Sequence, residues 1–250
     1  MTPNARRIFA ISVAVVGVFA VGANADVIKI TGVNSSTESV SIVGGPGDLG
    51  GPDGSGRVYT GLYTALNVTT GETWLTYCID PIGEIRIGDS WDATYESGAD
   101  LAAGEGVLYE PAYTTNPAIA ADVTKQKYAM ISYLAEKYYY NVNGSNALGA
   151  SGRSELSLAF WEIARDYDGN VTSLNLAQGN FKSTTASSAT ALVLDAYNYR
   201  NRQITMAVWS PTERPSQEFL TIKVPEPSTF SLLLLGMSCM AGFWGIRRKK

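Results

Sequence analysis

Residues 126–140, Gln-Lys-Tyr-Ala-Met-Ile-Ser-Tyr-Leu-Ala-Glu-Lys-Tyr-Tyr-Tyr, mark the point at which the periodicity of this sequence changes. Ala129, Ile131, Leu134, Ala135 and Tyr138 recur at helical spacing and give the segment one apolar face. Upstream the period is two. Residues 26–31 and 39–43 alternate apolar and polar and read as two short strands. Residues 58–68 and 72–79 read as two more, joined by Thr69-Thr70-Gly71 and rich in residues that fit a pleated surface, among them Tyr59, Tyr63, Val68, Trp74 and Tyr77. The Gly/Pro-rich run 44–56 between these pairs is turn and loop chemistry. Alternation continues over 81–90 through Ile82, Ile85 and Ile87, and 92–117 reads as loop with a short helix. Downstream the helical period returns over 154–167, with Ser154 as N-cap, Leu156, Ala159, Phe160 and Ile163 as the stripe, and Asp168-Gly169-Asn170 as the stop. A third helix follows at 187–200, then closing strands at 203–209 and 218–224. Strands first and helices later, with no βαβ alternation, predict an α+β fold: a mainly antiparallel sheet or sandwich packed with a helical segment, formed by residues 26–223.

The chain has 250 residues, no histidine and two cysteines. Histidine triads, histidine metal sites and histidine proton shuttles are therefore excluded. Two cysteines in 250 residues argue against a disulfide-stapled scaffold. The net charge of −4 conceals an asymmetry. Arg6 and Arg7 precede any acid, and Arg247, Arg248, Lys249 and Lys250 follow the last one. Without these six, 13 basic residues face all 23 acids, a net of −10. A body this acidic argues against nucleic acid as partner.

The two basic ends read as addresses. Arg6-Arg7, the apolar run 8–21 and the small-residue site Ala23-Asn24-Ala25 form a secretory signal peptide over residues 1–25. At the other end, Val224-Pro225-Glu226-Pro227-Ser228 precedes seventeen apolar or small residues, 230–246, which suffice to cross a bilayer core. The basic cluster beginning Arg247-Arg248 then stays cytoplasmic. This order, Pro225-Glu226-Pro227, apolar helix, Arg-rich tail, resembles the PEP-CTERM sorting signal of Gram-negative bacteria, over residues 224–250. The resemblance implies recognition by an exosortase-type membrane enzyme, transient anchoring by the C-terminal helix, and delivery to the cell surface or the extracellular polysaccharide matrix. The polysaccharide is then a further implied partner.

If Cys239 belongs to the tail, Cys78 is the one thiol of the exported body, and an internal disulfide is impossible. It lies in Thr76-Tyr77-Cys78-Ile79-Asp80, at the end of a strand. Far downstream comes Ser157-Leu158-Ala159-Phe160-Trp161. Together these segments resemble the two signatures of bacterial surface thioester domains: aromatic-Cys-x-acid, matched by Tyr77, Cys78 and Asp80, and Gln-x-Ala-aliphatic-Trp, matched by Ala159 and Trp161. In that family the Cys thiolate attacks the Gln carboxamide, ammonia leaves, and the resulting internal thioester captures a nucleophile on a target surface. This sequence departs at the decisive place. The glutamine position is Ser157, which has no acyl carbon. The nearest glutamines, Gln126 and Gln178, lie outside the motif. The resemblance therefore implies the fold without the bond. Cys78 is expected to pack against the helix of Ser157 and Trp161, either inert or hydrogen-bonded to the Ser157 hydroxyl.

Other constellations compete. Asp80, Glu84, Glu155, Glu162, Asp166 and Asp168 are candidates for an acid/base pair on a glycan. Asp166-Tyr-Asp168-Gly-Asn170 has alternating oxygen ligands but lacks the distal acid of an EF-hand loop, and a helix C-terminal turn accounts for it. Tyr138-Tyr139-Tyr140 and Trp91 are candidates for stacking on sugars, with core packing as the commoner fate. The resulting expectation is a non-enzymatic surface or matrix protein without cofactor or metal, acting structurally or by non-covalent adhesion. A covalent adhesin using Cys78 with an unrecognised glutamine, and a secreted carbohydrate-active enzyme, are the alternatives.

Overall fold

Alternation that begins at Asp26 runs on through Gly32 and the polar stretch after it. The computed structural model, which describes residues 25–42, 55–83, 85–110, 120–139, 150–183, 187–213 and 216–221, forms one strand here where two were expected: β1, Asp26–Ile42. Its partner explains the difference. β2, Ser55–Asn67, lies antiparallel along the whole length, and the weak strand formers 34–38 pair with residues 58–62. Cross-strand pairing here overrides local propensity. One register shift, between Ile30 and Gly32, interrupts the ladder.

Seven strands make one antiparallel sheet among the described residues. β3, Thr73–Thr76, borders β2. On the other side of β1 lies β4, Ser90–Glu96. β5, Phe181–Ser183, pairs with the far end of β1. β6, Ala207–Pro211, extends the sheet from β4, and β7, Phe219–Thr221, follows β6. The sheet then closes on itself. Just beyond β3, Cys78 bridges Phe219, Leu220 N–H donates to the Tyr77 carbonyl at 2.9 Å, and Ile79 N–H donates to the Glu218 carbonyl at 3.1 Å. The hydroxyl of Thr76 donates to the Leu220 carbonyl across the same seam. Joining the two edges removes the exposed ladder that an open sheet would present. Aromatic rings link the strands: Tyr63 and Trp91 each lie 5.5 Å from Phe219, and Trp209 contacts both Trp74 and Tyr95.

Four α-helices accompany the sheet among the described residues. α1, Gly98–Ala103, is capped by a reciprocal Ser97–Asp100 box. α2, Ala120–Leu134, starts six residues before the expected helix and widens to a π turn over Ala135–Tyr139. α3, Ala150–Asp166, starts four residues before Ser154, so Ser154 is an interior helical residue and not the N-cap. Its hydroxyl has a buried partner in the sheet, described below, which relieves the competition with the helix that makes serine a cap former. α4, Ser187–Tyr197, ends in turns before Arg200.

Two other expectations are corrected. Residues 81–83 bend and 87–88 turn before β4 begins at Ser90: Asp80 accepts the N–H groups of Ile82 and Gly83 and folds the chain over, and Ile87 is 52% exposed. The 92–117 region begins with β4, whose Trp91 and Ala93 face the core. The expected loop 44–56 falls largely outside the described residues. So do the signal peptide apart from Ala25, the sorting signal and the apolar run 230–246. Among the described residues no helix is long and apolar enough to cross a membrane.

Candidate functional site

One face of α3 tracks the seam where the sheet closes. Ser154 Oγ lies 2.6 Å from Thr60 Oγ1. Ser157 Oγ accepts the Gly61 N–H at 2.8 Å. Trp161 Nε1 donates to the Cys78 carbonyl at 3.0 Å. Arg165 is close enough to Asp80 for the carboxylate to stabilise its charge. Positions 154, 157, 161 and 165 are three or four apart, so they share a helix face. Gly61 has φ 110°, a conformation open to glycine, where its N–H meets the serine hydroxyl. The segment around Cys78 and the segment Ser157–Trp161 thus meet directly through the Trp161–Cys78 bond.

Cys78 is 1% exposed. Its Sγ donates to the Asp80 carbonyl at 3.2 Å, while the Ser157 hydroxyl is engaged by Gly61; the expected thiol–hydroxyl bond is replaced by these two. Burial pushes the thiol well above its ordinary range, and the Asp80 and Glu218 carboxylates push it the same way. The Asp80 backbone and the Trp161 indole oppose the rise without overcoming it. The sulfur is therefore a protonated thiol, shielded from solvent and poorly nucleophilic. Tyr77 packs its ring on Phe160 of α3 at 5.6 Å, edge to face, and Ala159 is fully buried. Asp80 is buried too, with Oδ1 accepting from Ile82 N–H at 2.9 Å and Gly83 N–H at 3.0 Å. Gly83 is held by close approach: a Cβ there would lie 2.7 Å from the Ser216 carbonyl and 2.8 Å from Gln217 Cγ. Gln126 accepts from the Tyr167 hydroxyl, and Gln178 is exposed.

Sequence reading passed over Glu218. It is fully buried between the seam and the helices, accepting from Val107 N–H at 3.0 Å, Ser210 Oγ at 2.5 Å and the Tyr128 hydroxyl at 3.0 Å. Burial raises its carboxyl to about 7 against the pull of these donors. Lys127 was also passed over: it is 1% exposed, donates to the Ala164 carbonyl at 2.7 Å and is lowered to about 8 by burial. Lys127 follows Lys125 by two residues in α2 and Glu218 immediately precedes β7, and neither signals burial by its spacing.

The remaining candidates separate. Asp80 and Glu162 are fully buried and Asp166 is 8% exposed, its two oxygens accepting from the Asn180 and Phe181 N–H groups. Asp168 Oδ1 accepts from Asn170 N–H at the turn after α3, and Glu84 lies outside the described residues. Among the described residues no three His, Cys, Asp or Glu side chains are placed to hold a metal. Trp91 is 8% exposed and belongs to the core, because it pairs with Ile28 across the sheet and meets Phe219; it is not a stacking platform.

No curated protein matches the sequence. Among solved structures, the chain is similar to the N-terminal thioester domain of a surface protein from Clostridium perfringens, at 12% identity, covering 75% of this chain and 99% of that one with a TM-score of 0.33. It is also similar to a pilus-presented adhesin, at 13% identity, covering 79% of this chain and 46% of that one with a TM-score of 0.38. Residues 223–249 match the model of the PEP-CTERM protein-sorting motif. The chain carries a PEP-CTERM protein-sorting motif, the signal of an exported and sorted surface protein.

Proposed function

We propose that residues 26–223 form a non-enzymatic module of the cell surface or extracellular matrix, acting structurally or by non-covalent adhesion. The observation that carries this reading is the occupancy of the seam. Ser157 stands where an acyl donor would be needed, and its hydroxyl is taken by Gly61 N–H. Cys78 is buried, and burial pushes its thiol well above the ordinary range. Ser157 supplies no acyl carbon and the buried Cys78 thiol is a poor nucleophile, which supports the non-covalent reading, and the candidates Asp80, Glu162 and Asp166 are buried away from a glycan. Export begins with the signal peptide cleaved after Ala25, and an exosortase-type enzyme processes the tail beyond Pro225-Glu226-Pro227.

Intact mass and thiol accessibility test the non-covalent reading. The protein is expected at full mass, with Cys78 unreactive to alkylation in the native state and fully alkylated in denaturant without added nucleophile. A mass lower by one ammonia, with Cys78 protected until an amine is supplied, overturns it. For sorting, Glu226→Ala is expected to leave the protein at the inner membrane. Fractionation that finds the variant on the cell surface at the wild-type level refutes the assignment.

A further inference from the structure

The end of α2 and the turns after α4 meet in a cluster of tyrosines and charges unconnected with the seam. The rings of Tyr133 and Tyr199 stack face to face, with centroids 3.8 Å apart and planes 12° apart. Tyr199 remains 43% exposed. Three cations lie against rings: Lys137 at 5.4 Å from Tyr133 and 5.2 Å from Tyr138, Arg202 at 5.7 Å from Tyr133, and Arg200 at 4.1 Å from Tyr197. Two acids hold the arrangement in place. Asp195 takes Lys137 Nζ at 2.7 Å and the Tyr133 hydroxyl at 2.8 Å, and Glu136 takes Arg202 at 2.6 Å. Arg200 is fixed by its own Tyr197, through the ring and through the carbonyl at 2.9 Å.

We propose that this surface binds a carboxylate-bearing polysaccharide, a partner that rests on the adhesive reading above and gives it a site. A pyranose ring presents a flat C–H face that matches an exposed tyrosine. A tyrosine already stacked on its neighbour loses little freedom when it is covered. Alternating charged groups around the rings supply donors and acceptors for sugar hydroxyls. Among the described residues of the cluster, Lys137 and Arg202 are paired with Asp195 and Glu136, so the surplus positive charge rests on Arg200, on a body where 13 basic residues face 23 acids. A ring-stacked guanidinium such as Arg200 presents its planar fork to a carboxylate.

The test uses the exported protein recovered from the cell surface, with alginate as the carboxylated probe, dextran as the neutral one and single-stranded DNA as an unrelated polyanion. Wild type is expected to bind alginate and to show little affinity for dextran or DNA. Tyr199→Ala and Arg200→Gln should each weaken alginate binding by about tenfold. Tyr199 is partly exposed and Arg200 half-buried, so each variant should remain folded by circular dichroism with only a small fall in melting temperature, and binding is compared well below that melting point. Alginate binding that both variants retain in full overturns the site and leaves the adhesive reading standing. Equal binding of DNA and alginate overturns it as general polyanion attraction. Failure of wild type to bind either polysaccharide overturns the adhesive reading together with the site.

Discussion

Trp161→Ala destabilises the protein by about 3–5 kcal/mol, the expected range for truncating a buried tryptophan. The ring is 3% exposed and meets Phe181 edge to face at 6.1 Å, so its removal leaves a cavity between α3 and the sheet. The indole N–H also donates to the Cys78 carbonyl at the point where the sheet closes. Trp161→Phe separates the two contributions. It keeps most of the ring and removes the donor, leaving a buried carbonyl short of a partner at a cost of about 1–3 kcal/mol. Domains are stable by only about 5–15 kcal/mol, so the alanine variant approaches the unfolding midpoint. Urea titration of both variants measures the difference. An alanine variant within about 1 kcal/mol of wild type would mean that α3 does not hold the seam.

How much of this was legible in the sequence depends on the range of the interaction. The helix over 126–140 and the strand over 58–68 were readable because their periodicities are local and long. Residues 32–38 were not, because glycine, asparagine and serine there are poor strand formers and only the facing residues of β2 make them a strand. β5 has three residues and β4 lies in a mixed stretch, so neither carries a period long enough to register. Closure of the sheet depends on Cys78 meeting Phe219, a contact between residues far apart in the chain.

The site divides in the same way. The spacing of Ser157 and Trp161 places them on one helix face, and that face does reach the strand end carrying Cys78. Which group each one touches was not legible. Ser157 meets Gly61 because α3 packs over β2 at that point and reaches the Cys78 segment only one turn later, at Trp161, and the two signatures alone contain no hint of β2. Glu218 was hidden for a related reason. Its donors come from residues 107, 128 and 210, none of them near it in sequence except the last. A carboxylate bonded by distant groups looks like any surface acid until the fold brings those groups together. Glu162 was singled out as an acid that could act on a glycan, and it turns out to be fully buried in α3.

That burial makes Glu162 the second large effect, with the opposite sign from most substitutions. Neither carboxyl oxygen makes a well-formed hydrogen bond; the Asn175 backbone lies near enough to favour the charged form but does not hold it. Burial raises the group to about 8 from 4.5, the Asp166 carboxylate adds to the rise, and the Asn175 backbone only opposes it. Below pH 4.5 the carboxyl is protonated folded and unfolded alike, and pH has no effect through this group. Between 4.5 and about 8 the unfolded chain releases the proton while the folded protein keeps it, so stability falls as pH rises, by about 1.4 kcal/mol per unit. Above that window both states are ionised and the slope disappears. At pH 7 the accumulated loss is about 3 kcal/mol. Glu162→Gln removes the titration and keeps the shape. It is therefore expected to be more stable than wild type at pH 7 by roughly 2–4 kcal/mol, less any cost of the unbonded amide, with the advantage gone at pH 4. Glu218, raised in the same direction, remains in the variant and leaves it a residual slope of the same sign. Denaturation midpoints across pH 4 to 8 decide the matter. Curves for wild type and Glu162→Gln that run parallel would show that this carboxyl reaches water in the folded protein.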